Sequence, residues 1–217
     1  MERVNFYIDG FNFYYGLKNK KKLDSDWQKF YWLNYVNLFQ QFLGENQMLQ
    51  KVIYFAAQPP LDDQARQRQS LLFRANRILN PDRFELVMGQ FIQKKITCKV
   101  CRQDFNVYEE KQTDVNIAVR LVVDCALDNA DTVVLVSADS DIVPPLQSIK
   151  QHFPQKNVRV CFPPSYNCRK LDYFMKTVFK KPAIHLERSK PKFSNSIMPD
   201  VVTVDGKTCT IPQKWKI

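Results

Sequence analysis

Four aspartates carry the chemistry that this sequence can do: Asp9, Asp114, Asp139 and Asp141. Carboxylates brought into one cleft repel each other, so they must either take up protons or hold cations. Hard oxygen donors of this kind suit Mg2+ or Mn2+, ions that keep several waters and bind through a few carboxylates and a substrate phosphate. The reaction that follows is phosphoryl transfer, in which a bound ion activates water and neutralises charge developing on phosphate oxygens. Any one of these acids could equally be a helix N-cap, a common role for an aspartate after a strand. All four acids in such a basic chain favour a shared metal site, with Asp9, Asp114, Asp139 and Asp141 as ligands and catalytic groups. Asn12 and Ser137 are short hydrogen-bonding residues beside them, suited to orienting a carboxylate, a water or a phosphate, although turn chemistry is their plainer role. Lys111 is a candidate phosphate contact, with a solvated lysine as the alternative.

Acids this far apart in the chain meet only if the fold brings them together. Short apolar runs alternate with helical stretches: strands are expected at 4–8, 52–56, 84–88, 132–136 and 158–162. Helices are expected from Phe11, over 33–43, 61–79, 114–127, 142–151 and 167–178, with Thr113 as an N-cap. This alternation predicts an α/β fold with a mostly parallel sheet covered on both faces. Ligands bind beyond the carboxyl ends of such strands, so Asp9 and Asp139 fall on one rim. The rhythm breaks at about 90–110, where a small hairpin insertion is expected. Past residue 180, Pro182, Pro191, Pro199 and Pro212 interrupt a basic extension laid along the domain, with a short strand at 201–204 before an Asp205-Gly206 turn. The expected division is thus a domain over 1–180 and a C-terminal extension over 181–217.

The chain has 217 residues, with 32 Lys and Arg against 22 Asp and Glu, a formal charge of +10. Such a field attracts polyanions, of which nucleic acid is the commonest in a cell, with plain solubility as the blander reading. Lysines at 18, 20, 21 and 22 lie near Tyr14, Tyr15, Trp27, Phe30, Tyr31 and Trp32, a mixture that suits single-stranded nucleic acid unless the aromatics are core. No apolar run approaches the length of a membrane span. With no secretory signal and no disulfide pattern, a cytoplasmic protein is expected. Cys98 and Cys101 stand at zinc-knuckle spacing, but a closed site needs four ligands and no second such pair exists, so a plain hairpin turn is the favoured reading. His152 and His185 fit no motif and are expected at the surface. The oligomeric state, a homodimer included, is left open.

The segments VNFYIDGFNFYYGL and EEKQTDVNIAVRLVVDCALDNADTVVLVSADSDIVPPLQ resemble NYN-domain proteins, the LabA-like branch of the PIN-like nuclease superfamily. The resemblance spans 4–162 in order and spacing. It implies a three-layer α/β/α PIN-like fold and metal-dependent hydrolysis of RNA, leaving a 5′-phosphate and a 3′-hydroxyl. In that pattern Asp9 matches the first acid, Asn12 the polar residue after it, Asp114 the acid opening the central helix, and Asp139 and Asp141 the last acids, with Ser137 beside them. Ala138 departs from a common glycine. Two rivals stand beside the ribonuclease: an RNA-binding regulatory module with little catalysis, and another metal-dependent phosphate enzyme using Asp139-Ser140-Asp141.

Overall fold

The computed structural model describes residues 1–216. Six strands form one sheet: β1 (Glu2–Asp9), β2 (Gln47–Ala56), β3 (Phe84–Met88), β6 (Thr132–Val136), β7 (Asn157–Phe162) and β8 (Ile184–His185). Their order is β3-β2-β1-β6-β7-β8, and every neighbouring pair runs parallel. The intervening β4 (Gln90–Thr97) and β5 (Asp104–Lys111) make the separate antiparallel hairpin expected from the sequence.

Both faces of the sheet are buried, because side chains alternate along each strand. On β1, Val4, Phe6 and Ile8 face one hydrophobic cluster and Tyr7 the other; on β6, Val134 and Val136 oppose Val133 and Leu135. The first cluster is covered by α1 (Gly10–Leu23), α2 (Tyr35–Gln40) and α3 (Asp63–Leu79), the second by α4 (Thr113–Ala126), α5 (Val143–His152) and α6 (Arg169–Phe174). The result is the expected three-layer α/β/α fold.

Several boundaries differ from the sequence reading for local reasons. The helix expected over 33–43 spans only Tyr35–Gln40, because Leu33 bridges to Ile197 and the Asn34 side chain caps the helix at Asn37 N–H, 3.0 Å away. The last helix ends at Phe174 and passes into a wider turn over Met175–Phe179. Thr113 is not a cap: Gln112 precedes the helix with φ 76°, and Thr113 is its first residue.

The segment after 180 lies on the first face. It adds β8 to the sheet edge, a short helix α7 (Lys190–Ser194), and a hairpin of β9 (Val201–Val204) and β10 (Lys207–Thr210). Asp205 and Gly206 both take positive φ between those strands, the geometry that an Asp-Gly hairpin turn requires. Phe193, Met198, Val202, Ile211 and Trp215 are buried in the same cluster as Phe6 and Phe13. No helix among the described residues is long and apolar enough to cross a membrane.

Candidate active site

The strand order turns at β1 and β6: the chain builds outward from β1 to β2 and β3, then returns to β1's other side. A cleft opens where strand order reverses, beyond the carboxyl ends. Asp9 is the last residue of β1, and Ser137 to Asp141 directly follow β6. The pairing Ile8↔Val136 sets these two segments side by side.

Asp9 is 2% exposed and caps α1. Its Oδ1 accepts the Asn12 backbone N–H at 2.9 Å, and its Oδ2 accepts Asn12 Nδ2 at 2.5 Å and Ser137 Oγ at 2.8 Å. Ser137 Oγ in turn accepts Asp139 N–H at 3.0 Å. Asn12 and Ser137 therefore hold one carboxylate and tie the ends of β1 and β6 together. Gly10 makes this possible: a Cβ there would lie 2.3 Å from the Tyr54 ring and 2.4 Å from the Phe55 carbonyl oxygen.

Asp139 Oδ1 accepts Asp141 N–H at 2.8 Å, capping a single 3-10 turn over Ser140–Ile142. Asp141 is exposed. Asp114 lies in the first turn of α4 and is also exposed. A buried polar network fixes that helix: Tyr7 donates to Asp124 at 2.7 Å, and Arg120 bridges Asp124 to Glu85 on β3. Lys111 does not reach the acids but pairs with Glu109 on its own strand at 3.0 Å.

Burial pushes the Asp9 carboxyl up to about 6; the charges of Asp114 and Glu110 add to this, and the Asn12 and Ser137 hydrogen bonds oppose it. Asp114 is raised too, first by desolvation and then by Asp139, Glu110 and Asp141. These five acids thus share one electrostatic site. Glu110 is the member that the sequence reading missed. Its Oε1 is buried with no hydrogen-bond partner among the described residues. The strand period could have found it: Glu110 pairs with Phe91 and lies two residues from Tyr108, and both aromatics line the adjoining cavity.

That cavity, of about 370 Å³, is apolar and aromatic, walled by Tyr14, Tyr35, Tyr54, Phe73, Tyr108 and Trp215 with Arg68 at its side. Gly10 and Phe11 also line it, so it adjoins the residue after Asp9. A second groove of about 610 Å³ runs along α3 and carries Arg66, Arg74, Arg77 and Lys207. Of the aromatics considered for stacking on RNA, Trp27, Phe30 and Trp32 are core residues, which removes them from any nucleic-acid surface. Tyr31 is buried as a residue too, though it forms part of the cavity wall.

A family profile for the NYN domain matches residues 3–177. The chain belongs to the NYN domain family. This family lies within the PIN-like nuclease superfamily, which agrees with the parallel sheet and its helices on both faces. The chain is also 29% identical, over 69% of its length, to 6-hydroxy-3-succinoylpyridine 3-monooxygenase HspA of Pseudomonas putida (strain DSM 28022 / S16). It spans 56% of that relative's length.

The NYN site suits a divalent ion by donor chemistry: hard carboxylates, two with raised proton affinity, and one buried carboxylate oxygen left unpaired. Coordination is more demanding than electrostatic coupling. Among the described residues no three Asp, Glu, His or Cys groups are gathered at a spacing that holds a metal ion.

Proposed function

We propose that this NYN protein is a Mg2+- or Mn2+-dependent ribonuclease that hydrolyses phosphodiester bonds in single-stranded RNA. The observation that carries the reading is Asp9, buried at the point where strand order reverses and coupled to Glu110 and Asp114. Asp9, Asp114, Asp139 and Asp141 would hold the ion, with Glu110 beside them. A bound divalent ion supplies an activated water and neutralises charge on the phosphate. The chain's own part is positioning. Asn12 and Ser137 hold Asp9 with both oxygens in fixed directions, and the exposed Asp141 would serve either as a further ligand or as the base that takes a proton from water. The aromatic cavity offers a stacking surface for a flanking base, and the arginine groove suits the backbone. The expected products carry a 5′-phosphate and a 3′-hydroxyl.

The test is cleavage of labelled single-stranded RNA with Mg2+ or Mn2+, with EDTA as control. Asp9→Asn is expected to abolish cleavage while leaving folding and RNA binding in place. Wild-type rates from that variant would refute the proposal.

A second reading, an RNA-binding module with little turnover, is favoured by the absence of three gathered ligands among the described residues. It predicts tight binding with no EDTA-sensitive cleavage. The ring named in the monooxygenase relative would, in this chain, find its place in the aromatic cavity. Adding 6-hydroxy-3-succinoylpyridine to the cleavage and binding assays tests that use of the cavity.

A further inference from the structure

The outer part of the β4–β5 hairpin leaves its apolar residues without a core, although Phe91 and Tyr108 at its base line the aromatic cavity. Its register puts Ile96 opposite Phe105, Lys94 opposite Val107 and Ile92 opposite Glu109, so Ile92, Ile96, Phe105 and Val107 share a face. Ile92, Ile96 and Phe105 are exposed, and Val100 at the tip is 94% exposed. An isolated two-stranded hairpin is marginal in water, so this ribbon calls for a staple.

The tip has the form of one. Cys98 N–H donates to the Gln103 carbonyl, and Arg102 N–H donates to the Cys98 carbonyl, both at 2.9 Å. Arg102, directly after Cys101, takes φ 59°, which folds the loop back on itself. Hydrogen bonding from the Cys101 and Val100 backbone, and then from the Cys101 side chain, holds the Cys98 thiol below its usual range. A tight loop closed by two backbone hydrogen bonds, with two cysteines three positions apart inside it at the exposed end of a ribbon, has the form of a two-thiolate metal grip. Both thiols are free.

The grip is half of a site. Zinc held by cysteines takes four ligands in a tetrahedron. Cys161 is buried in β7 and Cys168 precedes α6; neither joins the pair, and no third ligand does among the described residues. We propose that Cys98 and Cys101 of two copies of this chain bind one zinc ion between them, with the apolar faces of the two hairpins packed about the same two-fold axis. A two-fold contact uses the same patch on both copies, so one dithiol per chain yields four ligands, and the exposed Ile96 and Phe105 are covered in the same step. Along the ribbon Lys94 and Lys111 pair with Glu109, and Lys95 with Asp104. Lys99 and Arg102 at the tip make no ion pair among the described residues, and they lie beside the cysteines, where their charge offsets the net negative charge of a zinc ion held by four thiolates. On binding, the thiol protons pass to the buffer and no electrons move.

The experiment uses the full chain under reductant. Zinc content is taken as the difference between wild type and C98S/C101S, because the acid cleft also offers ligands. The expected result is one additional zinc per two wild-type chains and a doubling of mass in light scattering, reversed by chelator. Cobalt in place of zinc should give thiolate-to-metal charge-transfer absorption in wild type and none in C98S/C101S. Phe105→Ser keeps both thiols and is expected to lower the dimer fraction at equal zinc. Equal metal content in wild type and C98S/C101S, or one additional zinc per chain on a monomer, would overturn the proposal. None of these readouts depends on RNA cleavage, so the site stands or falls apart from the nuclease reading.

Discussion

The acid cleft and the hairpin tip both present groups able to grip a metal, and they are built in opposite ways. In the cleft, Asp9 is held by Ser137, which is 128 positions away, and Asp114 is placed by a helix pinned to β1 and β3 through Asp124 and Arg120. At the tip, the loop is closed by bonds between near neighbours, Cys98 with Gln103 and Arg102, and Thr97 with Asp104. Hard carboxylates repel, so they need a tertiary frame and burial to stay close. Two soft thiols need only a backbone loop. Damage to the frame should therefore ruin the cleft, whereas changes on the ribbon should stay local.

The strongest break of that contrast is Gly10→Ala. The added methyl would meet Tyr54 and the Phe55 carbonyl well inside van der Waals contact, in the residue that follows Asp9. Overpacking of a core typically costs about 1–3 kcal/mol, and backbone contact puts this variant at about 3 kcal/mol or more. A urea midpoint close to wild type would show that the frame yields more easily than the packing implies.

Next in size is the pH dependence that Asp9 imposes on stability. Its carboxyl rises from an ordinary 3.8 to about 6 in the folded chain, so the folded state binds the proton more tightly. Stability then falls as pH rises from about 4 to about 6, by at most about 3 kcal/mol for the two-unit shift. Asp9→Asn removes this slope. Denaturation midpoints across pH 4–8 for both proteins measure it, and parallel curves would contradict it.

Ser137→Ala should act on catalysis more than on folding. Losing an oxygen that orients a ligand costs roughly 10–100-fold in activity. Because the Ser137 hydrogen bond holds the Asp9 pKa down, its loss moves the acid limb of the pH–rate profile upward. A lower rate with an unmoved profile would mean that Ser137 acts elsewhere. The smallest effect belongs to the ribbon. Lys94→Ala removes an exposed pair with Glu109, and such pairs contribute about 0–1 kcal/mol, so thermal melting should barely shift.

Local pattern was enough for much of this molecule. The strand runs at 84–88 and 132–136 coincide with β3 and β6, the hairpin lies where the rhythm breaks, and Asp205-Gly206 makes its turn. These are short-range matters of periodicity and turn chemistry, carried by neighbours in the chain. Where a long-range contact intervened, pattern misled: Leu33 left its helix to bridge Ile197, and Thr113 became a helix residue with an unpaired hydroxyl. The aromatics after Lys22 could not be assigned by composition, since only packing against Phe193 and Trp215 makes Trp27, Phe30 and Trp32 core.

Chain order alone established an α/β sheet with acids at strand ends, because alternation of polarity and the ends of apolar runs are written in the residues themselves. It took the folded chain to bring Glu110 beside Asp9 and to hold Asp9 neutral up to about pH 6. Among the described residues, no three acids gather where one ion could be held. Those outcomes depend on burial and on distances between remote segments, and both come into being only when the sheet closes.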